Sequence, residues 1–126
     1  MPAKKTKPAT DSIDILKDKI VFGLLEKKAE NVTVINLKNA HNAITDYFVI
    51  ASGTSDTHID AISYSVEEEV IKALNLHPTH SEGKSVREWI LLDYLDVVVH
   101  VFSKEKRSFY NLEALWGDAE VTHIKS

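Results

Sequence analysis

Two carboxylates three residues apart, Asp93 and Asp96, lie within the most apolar run of the chain, Trp89 to Phe102. A pair of carboxylates can hold a hard cation, which takes oxygen ligands. No third ligand accompanies them, and Asp at a turn corner also hydrogen-bonds its own backbone. We read them as a turn whose charges reach a partner. A second candidate is Gly53-Thr54-Ser55-Asp56, at a strand-to-helix junction. Backbone N–H groups at a helix start attract anions, and glycine permits close approach. The junction lacks the lysine and spacing of a P-loop, so we read it as a glycine turn feeding a capped helix. Asp56 and Asp60 fall about one helical turn apart on that helix. His77 and His80 stand around Pro78 with no further metal ligand in view, and His100, inside the β-branched run, reads as a core histidine. No serine has a base and an orienting group arranged around it, and the chain has no cysteine. No catalytic residue, metal site or cofactor is therefore assigned.

These residues need elements to position them. Strands usually span about 5–6 residues, so the Trp89–Phe102 run must fold into two, roughly 88–93 and 97–102. Val97, Val98, Val99 and Val101 are apolar on both faces, which marks the second strand as buried on both sides. Trp89, Asp93, Tyr94 and Asp96 then stand at the ends of the hairpin, within reach of a partner. Upstream, Ile13, Leu16, Ile20 and Leu24 predict a helix from Thr10 or Ser12 to about Ala29. Residues 32–37 and 47–51 read as strands, and 56–74 as a helix with Ile59, Ile62, Val66 and Val70 as its stripe. Residues 76–84 read as irregular or a short edge strand. A final helix is expected over 104–116, capped by Ser103 and closed by Gly117. Residues 1–10 read as a disordered tail, 11–119 as one domain and 120–126 as a C-terminal tail. The strand-helix-strand order across Ser52–Leu76 implies parallel pairing, whereas the later hairpin is antiparallel. The fold class is α/β (α+β): a mixed sheet flanked by helices.

The chain has 126 residues and a formal net charge of −4. Grip on a phosphate backbone needs clustered Lys and Arg. Here they cluster only at Lys4, Lys5 and Lys7 and at Lys104, Lys106 and Arg107. Little direct nucleic-acid binding is expected, and an acidic domain suits a basic protein partner. No apolar run approaches the ~20 residues that span a bilayer, so no membrane role is expected. The absence of cysteine fits a reducing compartment, and the first residues have no apolar signal core. The expected setting is cytoplasmic.

Three blocks stand out together: Asp46-Tyr47-Phe48-Val49-Ile50-x-x-Gly53-Thr54-Ser55; Trp89-x-Leu91-Leu92-Asp93-Tyr94-x-Asp96-Val97-Val98-Val99-His100-Val101-Phe102; and Arg107-x-Phe109-Tyr110-x-Leu112-Glu113-x-Leu115-Trp116. This pattern resembles the ribosomal silencing factor family, also called Iojap-like, over about residues 12–119. The resemblance implies a fold similar to the nucleotidyltransferase α/β fold without its catalytic residues, in keeping with the missing Asp-x-Asp after the Gly53 junction. It implies a factor that is not an enzyme. Such a factor binds the large ribosomal subunit through ribosomal protein number fourteen, blocks joining of the small subunit and represses translation when nutrients are scarce. Organellar relatives assist large-subunit assembly. Carried onto this sequence, the partner-binding residues are Trp89, Asp93, Tyr94 and Asp96, with Arg107, Tyr110, Glu113 and Trp116 as further matches. Two departures stand out. The family usually has glycine where this chain has Leu95, so a wider or less twisted turn is expected. It also usually has a basic residue near Thr57. The alternatives are a nucleotidyltransferase-like nucleotide binder using Gly53–Asp56, a large-subunit assembly factor, and a homodimer formed through the hairpin patch.

Overall fold

The computed structural model describes residues 2–40, 43–115 and 119–125. The elements run α1 (Pro2–Glu26), β1 (Glu30–Asn36), β2 (Tyr47–Gly53), α2 (Asp56–Leu74), β3 (His80–Glu82), β4 (Trp89–Asp93), β5 (Val97–Ser103), α3 (Lys104–Tyr110), α4 (Leu112–Leu115) and β6 (Glu120–His123). The strands form one sheet in the order β3-β4-β5-β2-β1-β6. Among the described strands only β2 and β5 pair in parallel, and the remaining neighbours are antiparallel. The α2 crossover and the β4–β5 hairpin therefore sit where the sequence puts them, and β5 lies inside the sheet.

Alternation along each strand sorts the side chains onto two faces. On one face Tyr47, Val49, Ala51, Ile90, Leu92, Val97, Val99 and Val101 meet Leu16, Ile20 and Leu24 of α1 and Ile59, Ile62, Val66 and Val70 of α2. The two helices approach closely because Gly23 lets them: a Cβ there would stand 2.8 Å from the Val66 Cα. The Ser65 hydroxyl donates to the Gly23 carbonyl across the same contact at 2.8 Å. On the other face Ile35, Leu37, Ile50 and Phe102 are covered by Leu112, with Phe48 and Trp89 packed at the margin. This second cover is short, and it leaves the β4 side of the sheet partly open.

Three expectations need correction. The backbone of α1 begins at Pro2, so the polar segment taken for a disordered tail continues the helix. Ala and Lys are strong helix formers, and Pro2 stands at the first helical position, where proline is tolerated. The stretch taken for a C-terminal tail contains β6, which pairs Asn36 with Glu120 and Thr33 with His123. It occupies the hydrogen-bonding edge that β1 would otherwise leave open. The helix expected over 104–116 is broken at Asn111, which takes φ 46° and whose N–H bonds the Arg107 carbonyl. Asparagine tolerates the left-handed region, and the break turns Leu112 down onto the sheet. Gly117, expected to close that helix, lies outside the described residues.

Candidate functional site

Register builds the partly open face. Across the sheet, Glu82, Leu91, His100, Ile50 and Thr33 align in one row, and His80, Asp93, Val98, Phe48 and Ile35 in the next. The β1 ends of the rows are buried, Thr33 under Arg107 of α3 and Ile35 under Leu112 of α4, whereas Leu91, Asp93, Phe48 and Trp89 are half-buried. An aromatic band crosses this surface. Trp89 stacks on Phe102 at 4.8 Å between centroids and meets Tyr110 at 4.6 Å. Phe48 meets His100 edge-on at 4.7 Å, and Phe109 meets Tyr110 at 5.1 Å. The Trp89 Nε1–H donates to His100 Nδ1 at 3.0 Å. That bond assigns the imidazole proton to Nε2, which is buried without a hydrogen-bond partner among the described residues. Burial pulls the His100 pKa down to about 4, against the opposing pull of the Asp93 carboxylate. The ring is therefore neutral and fixes the indole.

The hairpin turn closes the far end of β4. Asp93 Oδ1 accepts the Leu95 N–H at 2.8 Å, the Tyr94 carbonyl accepts the Asp96 N–H at 2.9 Å, and the Tyr94 N–H reaches the Val97 carbonyl at 2.9 Å. Leu95 carries the turn at φ 74°. The turn is thus tight, not wide as the missing glycine suggested, because leucine itself adopts the conformation that glycine favours. The Asp96 carbonyl accepts the N–H groups of Asp46 and Tyr47 and ties the hairpin to β2.

The other sites named from sequence resolve into structure. A Cβ on Gly53 would lie 2.6 Å from Ile59 Cγ1, so this glycine makes room for α2. The neighbouring N–H groups are used within the chain: Thr54 donates to His58 Nδ1 at 2.9 Å and His58 to Ser55 Oγ at 3.1 Å. His58 Nε2 lies 2.7 Å from the Lys27 carbonyl and braces the end of α1. Thr57, where the family usually has a basic residue, is exposed. Asp60 pairs with Arg87 at 3.2 Å and His80 with Glu82 at 2.6 Å. Among the described residues no group of three metal-type ligands gathers. Lys104 pairs with Glu30 at 2.8 Å and Lys106 lies 3.9 Å from Glu88.

The comparisons with known proteins converge. Residues 10–126 match the family model described as ribosomal silencing factor during starvation. The chain belongs to the ribosomal silencing factor family. A ribosomal silencing factor RsfS from Halalkalibacterium halodurans is 39% identical over 100 residues, covering 79% of this chain and 84% of that one. A mouse protein named mitochondrial assembly of ribosomal large subunit protein 1 is 35% identical over 101 residues, 79% of this chain and 44% of its own length. A crystal structure of a Chromobacterium violaceum protein superposes with a TM-score of 0.78 at 26% identity, covering 90% of this chain and 93% of that one. The matched family model and the Halalkalibacterium relative are named as silencing factors, and the mouse relative as an assembly protein of the large subunit.

Within this silencing-factor fold the carried-over residues divide. Trp89, Asp93, Asp96 and Tyr110 present surface. Tyr94 does not: it is 4% exposed within the main core, a correction that follows from the pleat, since it continues the inward row of Ile90 and Leu92. Burial raises its pKa, with a further push from Glu67. Arg107 is also corrected. Its side chain is 11% exposed, and all five of its donors are used inside the chain. They reach the Asn31 carbonyl at 2.6 Å, Ser52 Oγ at 3.1 Å, Thr33 Oγ1 at 3.0 Å, and Glu113 Oε2 twice, at 3.1 and 2.8 Å. Arg107 and Glu113 are thus a staple that fastens α3 and α4 to β1 and β2. Trp116 lies outside the described residues. Sequence reasoning missed Phe48, Leu91 and Phe109 on the open face. The signal was there in the pleat: every second residue of β4 shares a face with Val98, His100 and Phe102.

Proposed function

We propose that this silencing factor docks the open face of β4 and β5 on the large ribosomal subunit, through ribosomal protein number fourteen, and sterically prevents the small subunit from joining. Translation falls as a result, which suits nutrient limitation. No bond is made or broken, and no cofactor takes part. The observation that carries the reading is an aromatic band and an acidic turn on one hairpin: Trp89 is held half-exposed by His100, Phe102 and Tyr110 at one end of β4, and Asp93 and Asp96 stand at the other. Trp and Tyr dominate interface hot spots because they bury much area with few rotors. The carboxylates add complementarity to a basic surface, which acts mostly on encounter and register. The basic groups of α3 are already paired, so direct RNA contact is minor. The expected setting is the cytoplasm, among the ribosomes. No described helix is long and apolar enough to cross a membrane.

Sedimentation with separated ribosomal subunits tests the reading. The wild-type chain should travel with the large subunit alone and inhibit its joining to the small one. Trp89→Ala should lose that association while keeping its fold. Asp96→Lys is the cleaner charge reversal, because Asp93 also accepts a turn hydrogen bond. Normal co-sedimentation of a folded Trp89→Ala chain would falsify the site. A role in large-subunit assembly, for which the mouse relative is named, uses the same docking. It predicts immature large subunits when the factor is removed.

A further inference from the structure

The tip of the β4–β5 hairpin carries a feature that the fold does not require. Leu95 stands at φ 74°, a conformation that is costly for any residue with a Cβ. Three neighbours hold it there: the Asp93 carboxylate on its N–H, the turn bond from Asp96 to Tyr94, and the Thr45 hydroxyl donating to the Leu95 carbonyl at 2.8 Å. Among the described residues little apolar packing offsets the strain, since Leu95 is 62% exposed. Glycine or asparagine would serve the turn better. Ile44, next to the Thr45 that clasps this turn, is 97% exposed. Two large apolar side chains thus stand at one tip, beside the exposed Asp96.

We propose that Ile44 and Leu95 form a second anchor of the docking face, entering an apolar recess in the basic large-subunit protein that receives Asp93 and Asp96. The inference rests on the docking reading above and adds a specificity element to it. The occupant follows from continuity and charge. Leu95 lies roughly 20 Å along the chain from Trp89 at strand spacing, within one standard-sized interface. Its carboxylate neighbours call for a cationic rim. The strained backbone persists because it aims the side chain outward, as strain at binding sites does.

Opposite effects on stability and affinity test it. Leu95→Gly should raise Tm by about 3 °C, the relief of strain being partly offset by the entropy of glycine. Its Kd for purified large subunits should nonetheless weaken about tenfold, an interface-anchor-sized loss. Leu95→Ala keeps the strained backbone and should weaken Kd as much, with little change in Tm. Ile44→Ser should weaken it in the same sense. Trp89→Ala is the control on the docking reading. If Trp89→Ala loses binding while Leu95→Gly, Leu95→Ala and Ile44→Ser bind as wild type, the second anchor is wrong and the docking face stands. Loss in Leu95→Gly with full binding in Leu95→Ala would assign the effect to backbone geometry and overturn the proposal. Wild-type binding by all four variants would remove the docking reading and the inference with it.

Discussion

His100 couples stability to pH. Its pKa is lowered to about 4 by burial, whereas an unfolded chain protonates its histidines near 6.5. Between those values the unfolded state holds more protons, so stability falls as pH drops from about 6.5 towards 4 and is fully present above that window. The slope attributable to one such group is at most ~1.4 kcal/mol per pH unit. Glutamine can accept the Trp89 N–H without titrating. Urea unfolding of wild type and His100→Gln at several pH values should therefore show a shallower loss for the variant between pH 6.5 and 4. Identical slopes would mean that carboxylates alone set the acid limit. Arg107 makes a second expectation at this scale. Arg107→Met should cost about 2 kcal/mol, because it strands Glu113 and the β1 acceptors. Arg107→Lys should recover only part of that, since a point charge cannot replace the fork.

Elements whose residues are apolar for local reasons were legible. The four valines around His100 marked β5 as a two-faced strand, and the spacing of Ile59, Ile62, Val66 and Val70 marked the inner stripe of α2. Elements that depend on a distant partner were not. β6 has four exposed residues and forms because the edge of β1 needs donors and acceptors. The break at Asn111 reflects where Leu112 must land. The surface residues were half legible: motif likeness named Trp89 and Asp96 correctly as surface, but it could not separate them from Tyr94, which the pleat turns inward, or from Arg107, which a network consumes. The α1–α2 contact was not legible, because it depends on Gly23, a helix-interior glycine whose role shows only in the packing against Val66. Gly23→Ala should raise helix propensity yet lower Tm by several degrees, since the added carbon has Val66 backbone 2.8 Å away. Thermal unfolding decides between these effects. A rise in Tm would mean that the helices separate at little cost.

At the scale of the molecule, the sheet is covered unequally. Two long helices seal one face, while the short α3 and α4 leave the β4 side of the other partly open. The chain carries a net charge of −4, with Asp93 and Asp96 at the hairpin turn, and the two components of docking should separate kinetically. Electrostatic complementarity acts mainly on association, and desolvated aromatic anchors act mainly on dissociation. Binding of immobilised large subunits, followed in real time, should show a slower on-rate for Asp96→Lys and a weaker dependence of that rate on salt. Between 0.05 and 0.3 M salt the Debye length falls from roughly 14 to 6 Å, so the wild-type on-rate should drop across that range while its off-rate barely moves. Trp89→Ala should do the reverse, dissociating at least tenfold faster with a near-normal on-rate. The Asp96→Lys off-rate should stay within about twofold of wild type, since an exposed charge contributes little once docked. If Asp96→Lys accelerated dissociation as strongly as Trp89→Ala, the carboxylate would be buried in the complex, and the hairpin tip, not the aromatic band, would be the centre of the interface.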